Sequence, residues 1–380
     1  MRFPEFSGEW VTAQLGDVCK FFSGGTPSST NKDFYDGNIP FIRSGEIHSC
    51  STELHISESG LNSSSAKIVE QGDLLLALYG ATSGDIAISK IKGAINQAVL
   101  CIRTNHDVFF LKSCWEKHCE KFLQTYLQGG QGNLSAEIIK SIKMAFPSCS
   151  EQKKISGLLT LIEDRITTQK KIIEKYESLI RGLITSVNKG EICKCKATAL
   201  KDVLTEVHEK NVENYEVCSV SVSQGVINQI DYLGRSFAAK EVLHYNVVNY
   251  GDIVYTKSPT GEFPYGIVKR SNLDRPVAVS PLYGVYRPVN DYVGIYLHLY
   301  FKSPVNTKNY LHRLIQKGAK NTINITNQHF LNNKIQIPEP DVLEIFVHAA
   351  SEIEKKIQAE NRVLASFEKQ KNYLLSKMFI

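Results

Sequence analysis

Three loops in the first half of the chain concentrate hydroxyl, amide and ammonium groups. They are the polar run 23–32, the stretch 79–84 after an apolar segment, and the glycine–amide run 128–133. Hydroxyl and ammonium groups can contact phosphates, and Gln and Asn can form paired hydrogen bonds with adenine. An ordinary surface turn explains any single loop equally well. The candidate contact residues of this half are Thr26, Ser28, Ser29, Asn31, Lys32, Arg43, Tyr79, Thr82, Gln131 and Asn133.

Corresponding places in the second half carry similar groups. Lys257 to Thr260 follow a strand-like segment that matches the one before Tyr79. Recurrence of polar loops in both halves favours recognition of a ligand over chance composition. The candidates here are Lys257, Ser258, Thr260, Lys269, Arg270, Lys320 and Asn321.

The sequence contains no known catalytic signature. A nucleophile elbow, a zinc-protease motif, a phosphate loop and a dinucleotide fingerprint are all absent, as is the Asn/Asp-Pro-Pro-aromatic turn of amino-methyltransferases. The two ExK triplets, 151–153 and 354–356, lie in helical segments without a suitably placed acidic strand, so we interpret them as solvated helix faces. Cysteines and histidines offer no tetrahedral set. We therefore expect no catalytic centre, metal or cofactor in this chain.

Composition indicates an ordinary globular protein. Its 380 residues suffice for two or three cores, and the net charge of +5 suits an anionic partner without requiring one. Nine cysteines without a disulfide pattern predict reduced thiols. The first ten residues do not resemble a signal peptide, and no apolar run approaches the roughly 20 residues that span a bilayer. We expect a cytoplasmic protein that is not bound to a membrane.

Two long segments have helical periodicity, from about Glu151 to Val187 and from about Val342 to Met378. A shift of 191 places superimposes their apolar positions, and Gln169 and Glu360 interrupt both at equivalent points. Two unrelated surface helices remain possible, but near-seven-residue spacing favours an antiparallel pair. The predicted pairing residues are Ile155, Ile162, Ile166, Ile173, Tyr176, Leu183, Ile353, Ile357, Leu364, Phe367 and Leu374.

The segments before each helix match more weakly, as short strands bounded by turns. The chain therefore divides into a domain (1–147), a long helix (148–190), a second domain (191–338) and a second long helix (339–380). We predict an α+β fold with two mixed α/β domains, an antiparallel coiled-coil pair between them, and a pseudo-two-fold internal repeat.

Seven short motifs occur along the chain, and they are Ser23–Ser28, Ile39–Arg43, Gln71–Leu75 and Pro147–Ile155, then Ser221–Val226, Tyr250–Tyr255 and Ser280–Tyr283. In these motifs the chain resembles the specificity subunits of type I restriction–modification systems, over nearly its full length. One departure is that the GGTPS loop has no counterpart in the second half, which places the two domains in different subtypes.

The resemblance implies two target-recognition domains that each read one half of an interrupted, asymmetric site in double-stranded DNA. It implies that the long helices set the spacing and dock two modification subunits. S-adenosylmethionine would belong to those subunits, and ATP and Mg to further restriction subunits. The alternatives are a piece of a fused nuclease–methyltransferase, a specificity subunit of another multi-subunit restriction class, and a coiled-coil scaffold for protein partners.

Overall fold

The computed structural model describes residues 2–127, 133–230, 234, 241–317 and 323–379. The chain forms two compact units. Unit 1 comprises Met1–Lys170 with Arg362–Ile380, and unit 2 comprises Lys171–Asn361. Each unit therefore contains one domain and about half of each long helix, and the two units are described separately below.

The domain of unit 1 is built from short strands and four helices within the described residues. Its elements are β1 (Val11–Gln14), α1 (Leu15–Val18), β2 (Cys19–Ser23), β3 (Ile39–Ile42), β4 (His55–Ile56), α2 (Glu58–Asn62), β5 (Lys67–Val69), β6 (Leu74–Ala77), β7 (Ile86–Ile88), β8 (Gly93–Ile95), β9 (Val99–Thr104), α3 (Val108–Leu127), α4 (Ala136–Ser141) and β10 (Lys143–Phe146).

The central sheet of this domain is antiparallel in the order β2-β9-β6-β7. Strand β6 is buried at all four positions because both faces of the sheet are covered. Leu74 and Leu76 pack against the core that contains Trp115 of α3, whereas Leu75 and Ala77 face a second core. That second core lies against the mixed sheet β4-β3-β8-β5, in which β3 and β8 are parallel.

Unit 2 repeats this plan with more divergent details. Its domain elements are β11 (Cys195–Ala199), β12 (Leu204–Glu206), β13 (Cys218–Ser221), β14 (Gly225–Asn228), β15 (Asn246–Val248), β16 (Ile253–Tyr255), β17 (Val268–Arg270), β18 (Val277–Val279), β19 (Gly284–Pro288), α6 (Asp291–Lys302), α7 (Pro304–His312), β20 (Gln316–Lys317), β21 (Ile323–Asn324), α8 (Asn327–Asn332) and β22 (Lys334–Pro338).

The sheet order shows which parts are repeated. The order β12-β19-β16-β17 in unit 2 reproduces β2-β9-β6-β7, and the pair β11-β22 reproduces β1-β10. The four-stranded second sheet of unit 1 is replaced in unit 2 by the pairs β13-β14 and β15-β18. The scaffold is therefore duplicated, while the material attached to it differs between the halves.

An aspartate–arginine pair fixes the same turn in both units. Asp73 accepts two hydrogen bonds from Arg103 on β9, and Asp252 accepts two from Arg287 on β19. The preceding glycine has φ of +96° in unit 1 and +87° in unit 2, a conformation that side chains disfavour. This geometry explains why a Gly-Asp pair occurs at matching positions in the two halves.

The two long helices are α5 (Cys149–Asn188) and α9 (Pro340–Met378), each within two residues of its predicted start. At about 1.5 Å per residue they are roughly 60 Å long. Ser148 caps α5 by accepting the Glu151 backbone N–H at 3.3 Å. Gly190, at φ +69°, donates to the Val187 carbonyl and ends the helix in the left-handed conformation that glycine favours.

The helices pair antiparallel within unit 1. Lys371 of α9 binds Glu163 of α5 at 2.7 Å. Further along α5, Lys170 lies 3.5 Å from Glu368, which precedes Lys371 in α9. Residue numbers therefore rise in one helix as they fall in the other. The predicted α+β class with its antiparallel helix pair is confirmed. Among the predicted pairing residues, Ile155, Ile162 and Leu374 are buried, whereas the rest are half-buried: Ile166, Ile173, Tyr176, Leu183, Ile353, Ile357, Leu364 and Phe367.

One helix-face prediction is wrong. Glu151 and Gln152 are 1% and 0% exposed, not solvated. Glu151 accepts two hydrogen bonds from Arg2, and Gln152 accepts from the Asp107 backbone N–H while its amide donates to the Pro147 carbonyl. Because these polar groups all have partners, they hold the start of α5 against the domain at little net cost.

A four-residue ion network attaches α3 to both long helices in unit 1. Glu163 lies 2.9 Å from Lys112, and Lys371 lies 3.1 Å from Glu116, in addition to the contact between Glu163 and Lys371. Burial raises the pKa of Glu163, but the hydrogen bond from Lys371 and the charge of Lys112 outweigh it, so the pKa is lowered overall.

Replacing Glu163 with glutamine should lower the free energy of unfolding by about 1–2 kcal/mol, because it leaves Glu116 as the one carboxylate in this network that pairs with Lys112 and Lys371. A carboxyl group with a depressed pKa contributes stability at neutral pH and loses it as pH falls through its folded pKa. The difference in free energy of unfolding between the original protein and the Glu163→Gln variant should therefore shrink below about pH 4. Urea denaturation from pH 3 to 7 measures this, with Lys371→Met as the partner in a double-mutant cycle. A pH-independent difference would contradict the ionic origin.

Candidate nucleic-acid interface

Two predicted polar loops of unit 1, 23–32 and 79–84, and Asn133 at the end of the third meet around one turn, Asn96 to Ala98. The Thr26 hydroxyl donates to the Gln97 side-chain oxygen. The Leu78 backbone N–H, which precedes the loop 79–84, donates to the Ala98 carbonyl at 2.8 Å. The Leu78 carbonyl in turn accepts from the Leu134 N–H at 2.9 Å, next to Asn133. Loops far apart in sequence thus form one surface, which we call the unit 1 loop surface.

Two glycines explain why the first loop can lie on this turn. A Cβ at Gly24 would lie 1.7 Å from the Ile95 carbonyl oxygen, and one at Gly25 would lie 2.7 Å from the Ser65 Cβ. Only glycine permits this approach of one backbone to another. The sequence Ser23–Ser28 therefore places its hydroxyl groups by close backbone packing.

Several predicted contact residues on this surface have exposed side chains. Thr26, Ser28, Ser29, Lys32 and Asn133 are exposed. Asn31, Tyr79 and Thr82 are half-buried, and the Asn31 side chain caps a short 3-10 helix by accepting the Asp33 N–H at 3.1 Å. Gln131 lies outside the described residues.

Arg43 reaches the same region but carries a compensated charge. The Ile42 carbonyl accepts from the Asn96 N–H, which brings Arg43 to the turn. Its guanidinium binds Glu46 at 2.9 Å and Glu53 at 2.5 Å, and these two carboxylates raise its pKa. A phosphate would have to displace these acids, so Arg43 is a weaker candidate than the hydroxyl and amide groups around it.

Gln97 is a candidate that sequence reasoning missed. Its side chain is exposed, and it lies at the centre of the unit 1 loop surface beside Thr26. Glutamine has the donor and acceptor needed for a paired contact with adenine. In the sequence, the pair Asn96-Gln97 between two strand-like segments indicates a turn. The pair does not show which loops lie beside that turn.

In unit 2 the exposed segment Lys257 to Thr260 follows β16 and leads to β17. It occupies the place that 79–84 occupies between β6 and β7, so both units carry a polar loop on the equivalent hairpin. Phe263, 4% exposed, anchors the loop, and the Thr260 and Phe263 backbones bond to each other. Lys320 and Asn321 lie outside the described residues.

The structure argues against two predicted contacts, Lys269 and Arg270. Both are only 4% exposed. The Arg270 guanidinium binds Asp291 and Asn272 and lies 4.6 Å from the centre of the Tyr250 ring. Because β17 is packed against α6, neither cation lies on the exposed surface that a contact with DNA requires.

Comparison with known proteins gives a consistent assignment. Residues 7–178 match the family model described as the type I restriction modification DNA specificity domain. The MjaVIII type I restriction enzyme specificity subunit of Methanocaldococcus jannaschii is 23% identical, over 99% of this chain and 92% of that protein. The EcoR124I/EcoR124II specificity subunit of Escherichia coli is 22% identical over 50% of this chain and 51% of its own length.

Residues 7–178 therefore carry the DNA specificity domain of this family, and the chain is similar to type I specificity subunits over nearly its full length. Solved structures agree at the level of the fold. The type I S subunit from M. genitalium superimposes with a TM-score of 0.59 at 10% identity, covering 100% of this chain and 99% of that one. A chain from a structure of type I R-M complex assembly and conformational transition gives 0.52 at 12% identity, covering 98% of each.

The family model is that of a DNA specificity domain, and the unit 1 loop surface lies within the residues that it matches. Within the described ranges, three or more metal-ligating side chains do not cluster anywhere. The same part of the chain contains no helix that is both long and apolar enough to cross a membrane.

Among the predicted contacts of unit 2, Lys257 is the candidate for a phosphate contact, because it is an exposed cation. We expect Lys257→Ala to weaken binding similarly for cognate and unrelated duplexes and to reduce the slope of log affinity against log salt by about 1. Fluorescence anisotropy at several salt concentrations measures both effects, and Lys196→Ala on β11 serves as the control. Loss of affinity for the cognate duplex alone would instead assign Lys257 to base recognition.

Proposed function

We propose that this specificity subunit recognises a bipartite, asymmetric site in double-stranded DNA, with unit 1 reading one half and unit 2 the other. The observation that carries the proposal is the duplicated scaffold with different loops on equivalent hairpins. Two copies of one loop set would suit a symmetric site, whereas the Ser23–Ser28 loop of unit 1 has no counterpart in unit 2. Thr26 and Gln97 are the proposed base-reading groups of unit 1, and Ser258 and Thr260 are those of unit 2, beside the phosphate contact proposed for Lys257.

The chain would act without a catalytic centre of its own. Two modification subunits carrying S-adenosylmethionine would bind it and methylate adenines in both half-sites, after flipping each base out of the duplex. Restriction subunits that use ATP and Mg would join this complex. The long helices would contribute both the docking surface and the distance between half-sites, since a 60 Å helix exceeds one duplex turn of about 34–36 Å.

Mapping methylated adenines tests this proposal. The chain is expressed with its modification subunit in cells that lack adenine methylation, and the genome is sequenced for N6-methyladenine. We expect one interrupted motif with unlike halves. The modification subunit expressed alone should leave no motif. A continuous or palindromic motif would contradict the assignment of unlike halves to the two units.

Exchange of one domain refines the test. When residues 1–147 are replaced by the corresponding domain of another specificity subunit, only one half of the methylated motif should change, because the loops of unit 2 are untouched. The readout is the same methylation map. Changes in both halves would show that the domains do not read independently.

A further inference from the structure

Unit 2 contains a cleft of about 520 Å³ that the DNA-recognition role does not use. It lies between α5, α6, the loop after β16 and the start of α7, and its size falls in the range of small-molecule sites, about 300–1,000 Å³. Most of its lining is apolar, and the apolar residues include Ile180, Ile184, Phe263, Leu299, Pro304 and Val305.

Lys269 also lines this cleft. Its side chain is 4% exposed, and no residue in the described part of the chain accepts a hydrogen bond from its amine or forms an ion pair with it. A buried ammonium group without an anion is unfavourable in an apolar environment. Such a group is expected to find its counter-ion outside the unit.

The other charged residues around the cleft do not supply that counter-ion. Lys302 binds Glu354 at 3.2 Å, and Arg181 lies 3.8 Å from Glu177. Burial and the positive charge of Lys302 lower the pKa of Lys269 to about 8, and the negative charge of Glu354 partly opposes them. Because this pKa remains above 7, the amine is mainly charged at neutral pH.

The first turn of α7 supplies a second feature that favours anions. Ser303, Pro304 and Asn306 line the cleft, and Ser303 caps the helix by accepting the Asn306 N–H at 3.3 Å. The N-terminal end of a helix carries a partial positive charge. A buried amine and a helix N-terminus therefore border the same apolar space.

We propose that this cleft binds a small amphipathic carboxylate, with its apolar body against Ile184 and Leu299 and its carboxylate on the Lys269 amine. An apolar neutral ligand would leave Lys269 uncompensated, and a fully polar anion would leave the apolar walls in water. Residues 257–260, which are proposed to contact DNA, do not line the cleft, so its occupancy can be measured without DNA.

The test compares two probes of the same shape, 4-phenylbutyrate and the neutral 4-phenyl-1-butanol, by calorimetry on the full-length chain. We expect the carboxylate to bind the protein without substitutions. The substitution Lys269→Met should weaken the affinity for the carboxylate about tenfold or more, as loss of a charge-assisted hydrogen bond predicts. The alcohol should bind both proteins alike. Lys308→Met, an exposed lysine on α7, serves as the matched control and should change neither affinity.

A chemical measurement keeps the test independent of any effect of the substitution on folding. Reductive methylation followed by peptide mass spectrometry reports the reactivity of Lys269 in the unsubstituted chain. The carboxylate should protect Lys269, and the alcohol should protect it much less. The proposal is overturned if the carboxylate does not bind at millimolar concentration, or if neither Lys269→Met nor methylation distinguishes the two probes.

Discussion

Replacing Gln97 with alanine should reduce affinity for the cognate duplex by roughly 5- to 150-fold, the cost of one paired contact with adenine at about 1–3 kcal/mol. Gln97 is exposed, and the neighbouring Thr26 hydroxyl fixes the orientation of its side-chain oxygen. An amide whose orientation is already fixed loses less conformational entropy on binding than one that rotates freely. Removing it should also relax the preference for one base in the half-site that unit 1 reads.

The measurement is competition binding of the assembled complex against duplexes substituted at each position of that half-site. Gln71→Ala is the matched control, since Gln71 is also exposed and lies in the turn fixed by Asp73. We expect the control to bind as the unsubstituted protein does. If Gln97→Ala weakens cognate and unrelated duplexes equally, Gln97 contacts the backbone and does not read a base.

The long helices were predictable from sequence because their pattern is local. Apolar residues three and four apart in sequence lie on one face of a helix, and Ser148 and Gly190 are local signals for its ends. Even the short helix α8 follows the 191-residue shift from α4, since 136–141 corresponds to 327–332. Repetition within one chain supplied information that a single copy would not.

The prediction for Lys269 and Arg270 failed for the opposite reason. Charge in a sequence indicates exposure only on average. Both residues lie on β17, which packs against α6, and the Arg270 guanidinium binds Asp291 on that helix. That partner is 21 residues away, so no local pattern indicates it.

The assembly of the unit 1 loop surface likewise depends on tertiary contacts. Gly24 is required because the Ile95 carbonyl lies against it, and the position of Gln97 follows from that contact. A glycine in a sequence indicates an unusual backbone conformation or a close contact with another backbone segment. It does not indicate which segment makes that contact. The polar loops could therefore be predicted singly, whereas their meeting point could not.

Lengthening both long helices by one heptad should move the two halves of the methylated motif apart by about three base pairs. Seven residues add about 10.5 Å at 1.5 Å per residue, and a duplex rises about 3.4 Å per base pair. The insertions belong after Lys170 in α5 and after Asn361 in α9, where a heptad preserves the alternating three- and four-residue spacing of the apolar positions.

Sites with the original gap should no longer be methylated detectably by the lengthened protein, because both units could not bind their halves together. Insertion into α5 alone is the control, and it should abolish methylation at either gap because the apolar positions no longer match. An unchanged gap in the doubly lengthened protein would mean that the helices do not set the spacing.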